Sequence, residues 1–155
     1  MKTLILYATK YGATEKIARR IADKIEGSVF YDLKEGNIPN IADFDCIIIG
    51  SSIYAGSVRK EAKAFVANNV VPLSEKTVGL FLSGFAADDK YFATNYPKNL
   101  LDKVKAKAFL GGIFDPKKAN AAERLIIKAV MKQSEYVESI DDDAIDKFVG
   151  GLYVT

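Results

Sequence analysis

Apolar positions along the chain alternate between two spacings. Residues 3–8 form a short continuous apolar run that stops at Thr9 and Gly12, the pattern of a parallel strand with helices over both faces. Residues 13–26 then take helical spacing. Ile17, Ile21 and Ile25 recur every four residues beside Ala18 and Ala22, while Arg19, Arg20, Asp23 and Lys24 fall off the stripe and Gly27 caps the end. Residues 28–33 read as a second strand, followed by a loop at Gly36, Asn37, Pro39 and Asn40. The clearest strand is Cys46–Ile49, closed by Gly50. A helix over 58–69 places Ala62, Phe65 and Val66 on one face, and Thr77–Ser83 is a fourth strand. Residues 84–97 read as an irregular stretch, 98–104 as a short helix and 106–114 as a fifth strand. Asp115-Pro116 breaks the chain before helices at 119–134 and 141–150.

Strands alternating with helices in this way predict an α/β, doubly wound parallel sheet with helices on both faces. Ligands of such sheets sit outside the carboxyl ends of the strands. The loops that follow the strands are therefore where the chemistry belongs. The length of 155 residues argues for one domain, 1–155, with a core large enough to need no staples. One Cys rules out an internal disulfide, and Cys46, in mid-strand, reads as a small buried hydrophobe. With no His, the Ser-His-Asp and Cys-His arrangements and the usual zinc sites are excluded. Asp141-Asp142-Asp143 reads as the acidic start of the last helix, and no metal site is expected. The side chains are poor candidates for catalysis, so reactivity is expected in a cofactor, with no catalytic side chain. The start Met1-Lys2-Thr3 runs straight into a strand, and no apolar run is long enough to span a bilayer, so the expected location is the cytoplasm.

The first loop, Thr9-Lys10-Tyr11-Gly12-Ala13-Thr14, lies between a strand and a helix N-terminus, where unpaired N–H groups and the helix dipole favour an anion. It has neither the Gly-Lys-Ser/Thr of a P-loop nor the three glycines of a dinucleotide fingerprint. It suits a terminal monophosphate, or it is a polar strand-to-helix turn with no ligand. A phospho-acceptor receiver is excluded, because Thr9-Lys10 and Gly50-Ser51 stand where its acids would be. In the second loop, Ser51, Ser52, Ile53, Tyr54, Ala55 and Gly56 place small residues around one aromatic, which either stacks on a planar ligand or is a surface tyrosine. In the third, Ser83, Gly84 and Phe85, with Asp88 beyond, either cover the other face of a ring or leave Phe85 in the core.

Taken together, Thr9-x-x-Gly12-x-Thr14 after the first strand and Asp45-Cys46-Ile47-Ile48-Ile49-Gly50-Ser51-Ser52 at the third resemble the flavodoxin-like family, across essentially the whole chain. The resemblance implies a three-layer sandwich with strand order 2-1-3-4-5, a fifth strand free of the insertion of long-chain members, and FMN as cofactor. FMN would be held by Thr9–Thr14, by Ser51–Gly56, and by Ser83, Gly84, Phe85 and Asp88. Within the family the chain is most similar to the menaquinone-dependent protoporphyrinogen oxidases. Ile49-Gly50-Ser51-Ser52-Ile53, Gly56, Phe65-Val66 and the basic-apolar stretch Glu123–Lys132 carry that likeness. It implies a flavin-dependent oxidoreductase that oxidises protoporphyrinogen IX or a similar apolar donor with a quinone acceptor. The alternatives are an electron carrier with no substrate of its own and an interaction domain that lost the cofactor. The stretch 84–99 is shorter than those oxidases usually carry.

Charge sharpens this picture. The net charge of +2 conceals about +1 over residues 1–97, +6 over 98–132 and −5 over 133–155. Electron-carrying flavodoxins are markedly acidic, which steers them to basic partners; this chain is not. In the late helix Arg124, Lys128 and Lys132 share one side and apolar residues spread over the other ~240° at 100° per residue. A helix lying on a sheet needs a stripe of only ~100°. The surplus either meets a membrane surface through residues 124–132, an apolar substrate or a subunit, or is buried between sheet and neighbouring helix. The expected partners are thus a redox donor and acceptor and the inner face of a membrane, with no nucleic acid. The phosphate would be bound without a strong counter-charge.

Overall fold

The computed structural model describes residues 1–131 and 135–154. Five parallel strands form its centre: β1 (Thr3–Ala8), β2 (Val29–Asp32), β3 (Cys46–Tyr54), β5 (Thr77–Ser83) and β6 (Ala106–Phe109). They lie in the order β2-β1-β3-β5-β6, and a two-residue strand β4 (Ser57–Val58) pairs antiparallel with β3. Counted over the long strands this is the expected order 2-1-3-4-5. Helices cover both faces: α1 (Ala13–Lys24) and α7 (Asp142–Leu152) on one, α2 (Lys60–Asn68), α3 (Val70–Ser74), α4 (Lys90–Asn95) and α5 (Lys98–Leu101) on the other.

The two-faced cover explains the apolar runs. Leu4, Leu6, Ile47, Ile49, Leu80 and Leu82 point to the α2–α5 face, where Ala62, Val66, Leu73, Phe92 and Leu100 meet them. Ile5, Ile48 and Phe81 point the other way, against Ile17 and Ile21 of α1 and Ile145, Phe148 and Leu152 of α7. All these residues are essentially inaccessible. Burial pushes the Cys46 thiol up to about 11, which fits its reading as an inert small hydrophobe.

Besides the short β4 and α3, which no sequence pattern announces, three elements differ from the sequence-based expectation. Gly50 does not close the third strand, which continues to Tyr54. A Cβ at Gly50 would lie 2.0 Å from Cζ of the Phe81 ring, so the glycine makes room for a neighbour in mid-strand. The irregular stretch 84–97 contains α4, with Phe92 buried against the sheet. The fifth strand ends at Phe109 rather than 114. Residues 113–138 leave the sheet as an excursion: strand β7 (Ile113–Phe114), helix α6 (Ala121–Met131) and strand β8 (Val137–Glu138), with β7 and β8 paired antiparallel. The expected span 106–114 is therefore too long for the fifth strand, which the excursion follows without interrupting. The predicted helical continuation over 132–134 lies outside the described residues.

Candidate functional site

The register sets the site. Ala8 lies beside Ser51, and Ser52 beside Ser83, so the loops after β1, β3 and β5 emerge side by side at the carboxyl edge of the sheet. The excursion folds back over the same edge. Between them is a cavity of about 390 Å³, within the size range of small-molecule sites.

In the first loop, Thr9 Oγ1 accepts from the Gly12 N–H at 2.8 Å, which shapes the turn. Gly12 occupies the N-cap position of α1, and no side chain caps that helix, so the N-terminal turn keeps donors for an outside acceptor. Thr14 does not reach the cavity. Its buried hydroxyl bonds Ser83 Oγ at 2.8 Å and ties the first loop to the third. Thr9, Lys10, Tyr11 and Ala13 line the cavity.

Ser51 also turns away. It accepts from the Arg59 N–H at 2.9 Å and donates to the Ser52 carbonyl, fixing the start of α2. Ser52 lines the cavity, and its buried Oγ has no hydrogen-bond partner among the described residues. Ile53 and Tyr54 line it too, from the end of β3. Ala55 and Gly56, at the cavity edge, have φ of 51° and 78°. Two positive values between paired strands make a type I′ hairpin turn, which favours Asn-Gly over Ala-Gly. Ala55→Asn is expected to raise stability by roughly 1 kcal/mol, seen as a higher thermal midpoint of the cofactor-free protein.

From the third loop, Ser83, Gly84 and Phe85 line the cavity; Phe85 is half-buried there rather than in the core. Asp88 is not part of the lining. Its carboxylate accepts from the Lys90 N–H at 3.0 Å and pairs with the Lys90 ammonium, so it serves the start of α4.

No cofactor-binding residue is expected from the excursion, yet Gly112, Ile113, Phe114, Asp115, Ala119, Glu123 and Ile126 make one wall of the cavity, and Tyr91 of α4 adds to another. One local signal was present. Asn120 and Glu123 form a reciprocal capping box: Asn120 Oδ1 accepts from the Glu123 N–H and Glu123 Oε1 from the Asn120 N–H. Among the described residues, the late helix is not buried between sheet and neighbour. Leu125 is 69% and Ile126 60% exposed. Arg124, expected on a free basic face, donates to the Pro116 and Ala119 carbonyls.

Charge gathers where the excursion meets the first loop. Glu123 accepts from the Tyr11 hydroxyl and lies 3.7 Å from Lys10, whose ammonium sits 3.1 Å from the centre of the Tyr54 ring. Burial opposes the Lys10 charge, but its bonds to Tyr54 and Tyr11 outweigh that and hold it above the ordinary lysine range. Burial likewise opposes the Glu123 charge. The Tyr11 hydroxyl, the Asn120 amide and Lys10 outweigh it and hold the carboxyl below the ordinary glutamate range. Its stabilising effect is thus complete above the unfolded value of about 4.3 and is lost as pH falls through the depressed folded value. Glu123→Gln is expected to flatten the part of the acid limb due to this group, read from urea midpoints between about pH 6 and pH 3.

Comparison with known proteins agrees with this architecture. A family model described as a flavodoxin domain matches residues 4–141. An uncharacterised protein of Methanocaldococcus jannaschii is 32% identical over 110 residues, covering 70% of this chain and 69% of its own. The protoporphyrinogen IX dehydrogenase [quinone] of Leishmania major is 30% identical over 146 residues; the match covers 84% of this chain but 62% of that one, less than two thirds of the relative. Oxidised flavodoxin 1 from Bacillus cereus superposes over 100% of both chains with a TM-score of 0.62 at 17% identity, a likeness of fold. By its sequence match from Leu4 to Asp141 and its strand order, the chain belongs to the flavodoxin-domain family.

Proposed function

We propose that the protein is an FMN-dependent oxidoreductase that takes electrons from an apolar reduced donor of the protoporphyrinogen type and passes them to a quinone. The residues present fit the cofactor. The uncapped N-terminus of α1 offers donors to the phosphate, and Ser52, whose buried Oγ has no hydrogen-bond partner among the described residues, stands in the cavity wall. Ile53, Tyr54 and Phe85 offer apolar and aromatic surface to a ring. When bound, the flavin supplies the electron transfer, so no side chain is required as acid, base or nucleophile. The chain's part is to fix the phosphate, bracket the ring and keep water from it.

One observation favours an apolar substrate over simple electron carriage. Ile126 both lines the cavity and is 60% exposed, next to Leu125 on the same helix. The cavity wall is therefore continuous with apolar surface open to the outside, which favours entry of an apolar molecule. The +6 segment around it and the quinone named for the Leishmania relative fit a cytoplasmic protein working at the inner face of a membrane, with α6 toward the lipid. Among the described residues no helix is long and apolar enough to cross it.

The test is a coupled assay of the FMN-loaded protein with protoporphyrinogen and a soluble quinone. Steady oxidation of the one with reduction of the other is expected. A loaded protein that turns over neither, yet exchanges electrons with a ferredoxin-type protein, would overturn this reading in favour of a carrier.

A further inference from the structure

The first loop carries two ammonium groups, and they differ. Lys10 is engaged by Glu123 and by the Tyr54 ring. Lys118, from the excursion, has no acidic partner among the described residues. Its Nζ donates to the Tyr11 carbonyl at 3.2 Å and is the nearest atom, at 3.6 Å, to where a side chain on Gly12 would begin. Its backbone is held in place: the Lys118 N–H donates to the Asp115 carbonyl at 3.0 Å, and the Asp115 carboxylate accepts from the Lys117 N–H at 2.9 Å. An exposed ammonium thus rests on the turn that opens α1, bonded to one neutral carbonyl and to no carboxylate among the described residues. A phosphate oxygen is a stronger partner for an ammonium than a carbonyl, because the bond is assisted by charge on both sides.

We propose that Lys118 is the counter-charge for the cofactor's phosphate and sets the preference of the site for a phosphorylated flavin over its unphosphorylated form. This rests on the FMN reading above. It replaces the expectation of a phosphate bound without a strong counter-charge, since the charge comes from the excursion, more than a hundred residues beyond the loop. The excursion then has two roles: Ile126 and Phe114 wall the ring region, and Lys118 closes the phosphate end.

The test compares FMN with riboflavin, which shares the ring and ribityl chain and lacks the phosphate. Cofactor-free wild type, Lys118→Met and Lys118→Arg are titrated with each by flavin fluorescence quenching. Lys118→Met is expected to weaken FMN about tenfold, the loss of one charge-assisted bond, and to leave riboflavin within about twofold. Lys118→Arg should recover most of the FMN affinity, and added salt should weaken FMN less in Lys118→Met than in the wild type. An equal loss for both flavins would assign Lys118 to holding the excursion in place and overturn the proposal; unchanged FMN affinity would also overturn it. A wild type that binds riboflavin and FMN equally would remove the phosphate role while leaving a flavoprotein. A wild type that binds neither would overturn the flavin reading and this assignment with it.

Discussion

Gly111→Ala is expected to be the most damaging single substitution outside the central strands, costing about 3–5 kcal/mol as a sum of backbone strain and overpacking. Gly111 has φ of 95°, and a Cβ there would lie 2.0 Å from the Ser139 carbonyl oxygen and 2.7 Å from Ile140 Cα. These are backbone atoms and cannot swing aside. The surrounding chain is bonded on both sides. The Gly84 N–H donates to the Gly111 carbonyl and the Leu110 N–H to Leu82, while on the other flank Asp141 donates to Leu110 and Ser139 to Gly112. Any shift that relieves the clash breaks part of this set. It also moves Gly112, which packs against Gly84 at the cavity. The cost is a large share of the ~5–15 kcal/mol that holds a typical domain, so the urea midpoint should fall steeply. Gly150→Ala is the matched control. A Cβ at that helical position meets nothing within 4 Å, and the change should raise stability by up to ~1 kcal/mol. Equal midpoints for Gly111→Ala and the parent would show that the two-sided pairing of residues 110–112 is absent.

Ala13→Asp is expected to separate folding from cofactor binding. Ala13 is the first residue of α1, 8% exposed and part of the cavity lining. A carboxylate in the first turn suits the helix dipole but loses hydration at this buried position, so the cofactor-free protein should stay folded with a loss of about 1–2 kcal/mol. The same carboxylate stands where the phosphate would bind. Two unit charges about 4 Å apart at an effective dielectric near 20 repel by about 4 kcal/mol, so FMN affinity should fall at least a hundredfold. Ala13→Asn, similar in size and neutral, should retain most of it. Titration of all three proteins with FMN, beside their urea midpoints, reads both effects. An Ala13→Asp protein that binds FMN as the parent does would place the phosphate elsewhere.

Much of the fold was legible because its strands are buried on both faces. Leu4-Ile5-Leu6 and Ile47-Ile48-Ile49 admit only a central strand, and the Ile17, Ile21 spacing of α1 matches the face it buries. Gly50 was misread because sequence does not distinguish a glycine that ends a strand from one that yields space to Phe81, a contact 31 residues away. The fifth strand was overextended because Ile113 and Phe114 continue its apolar run, although they pair with Val137 and Glu138 in a separate ribbon. At the site, loop residues were located by their place after strands, which fixes position but not the direction of a side chain. Thus Thr14 and Ser51 turn into the scaffold, and Asp88 into its own helix start. The excursion wall was hidden for a different reason. Lys118 and Glu123 reach the first loop, and Ile126 the cavity, only through the fold-back after β6, and no local pattern encodes that return.

The most direct measurement is an absorbance titration of the purified, flavin-stripped protein with FMN. Saturation at one FMN per chain, with the flavin bands shifted as the ring enters the apolar cavity, is the predicted result. A protein that leaves the spectrum of added FMN unchanged, while its urea unfolding shows it to be folded, would contradict it.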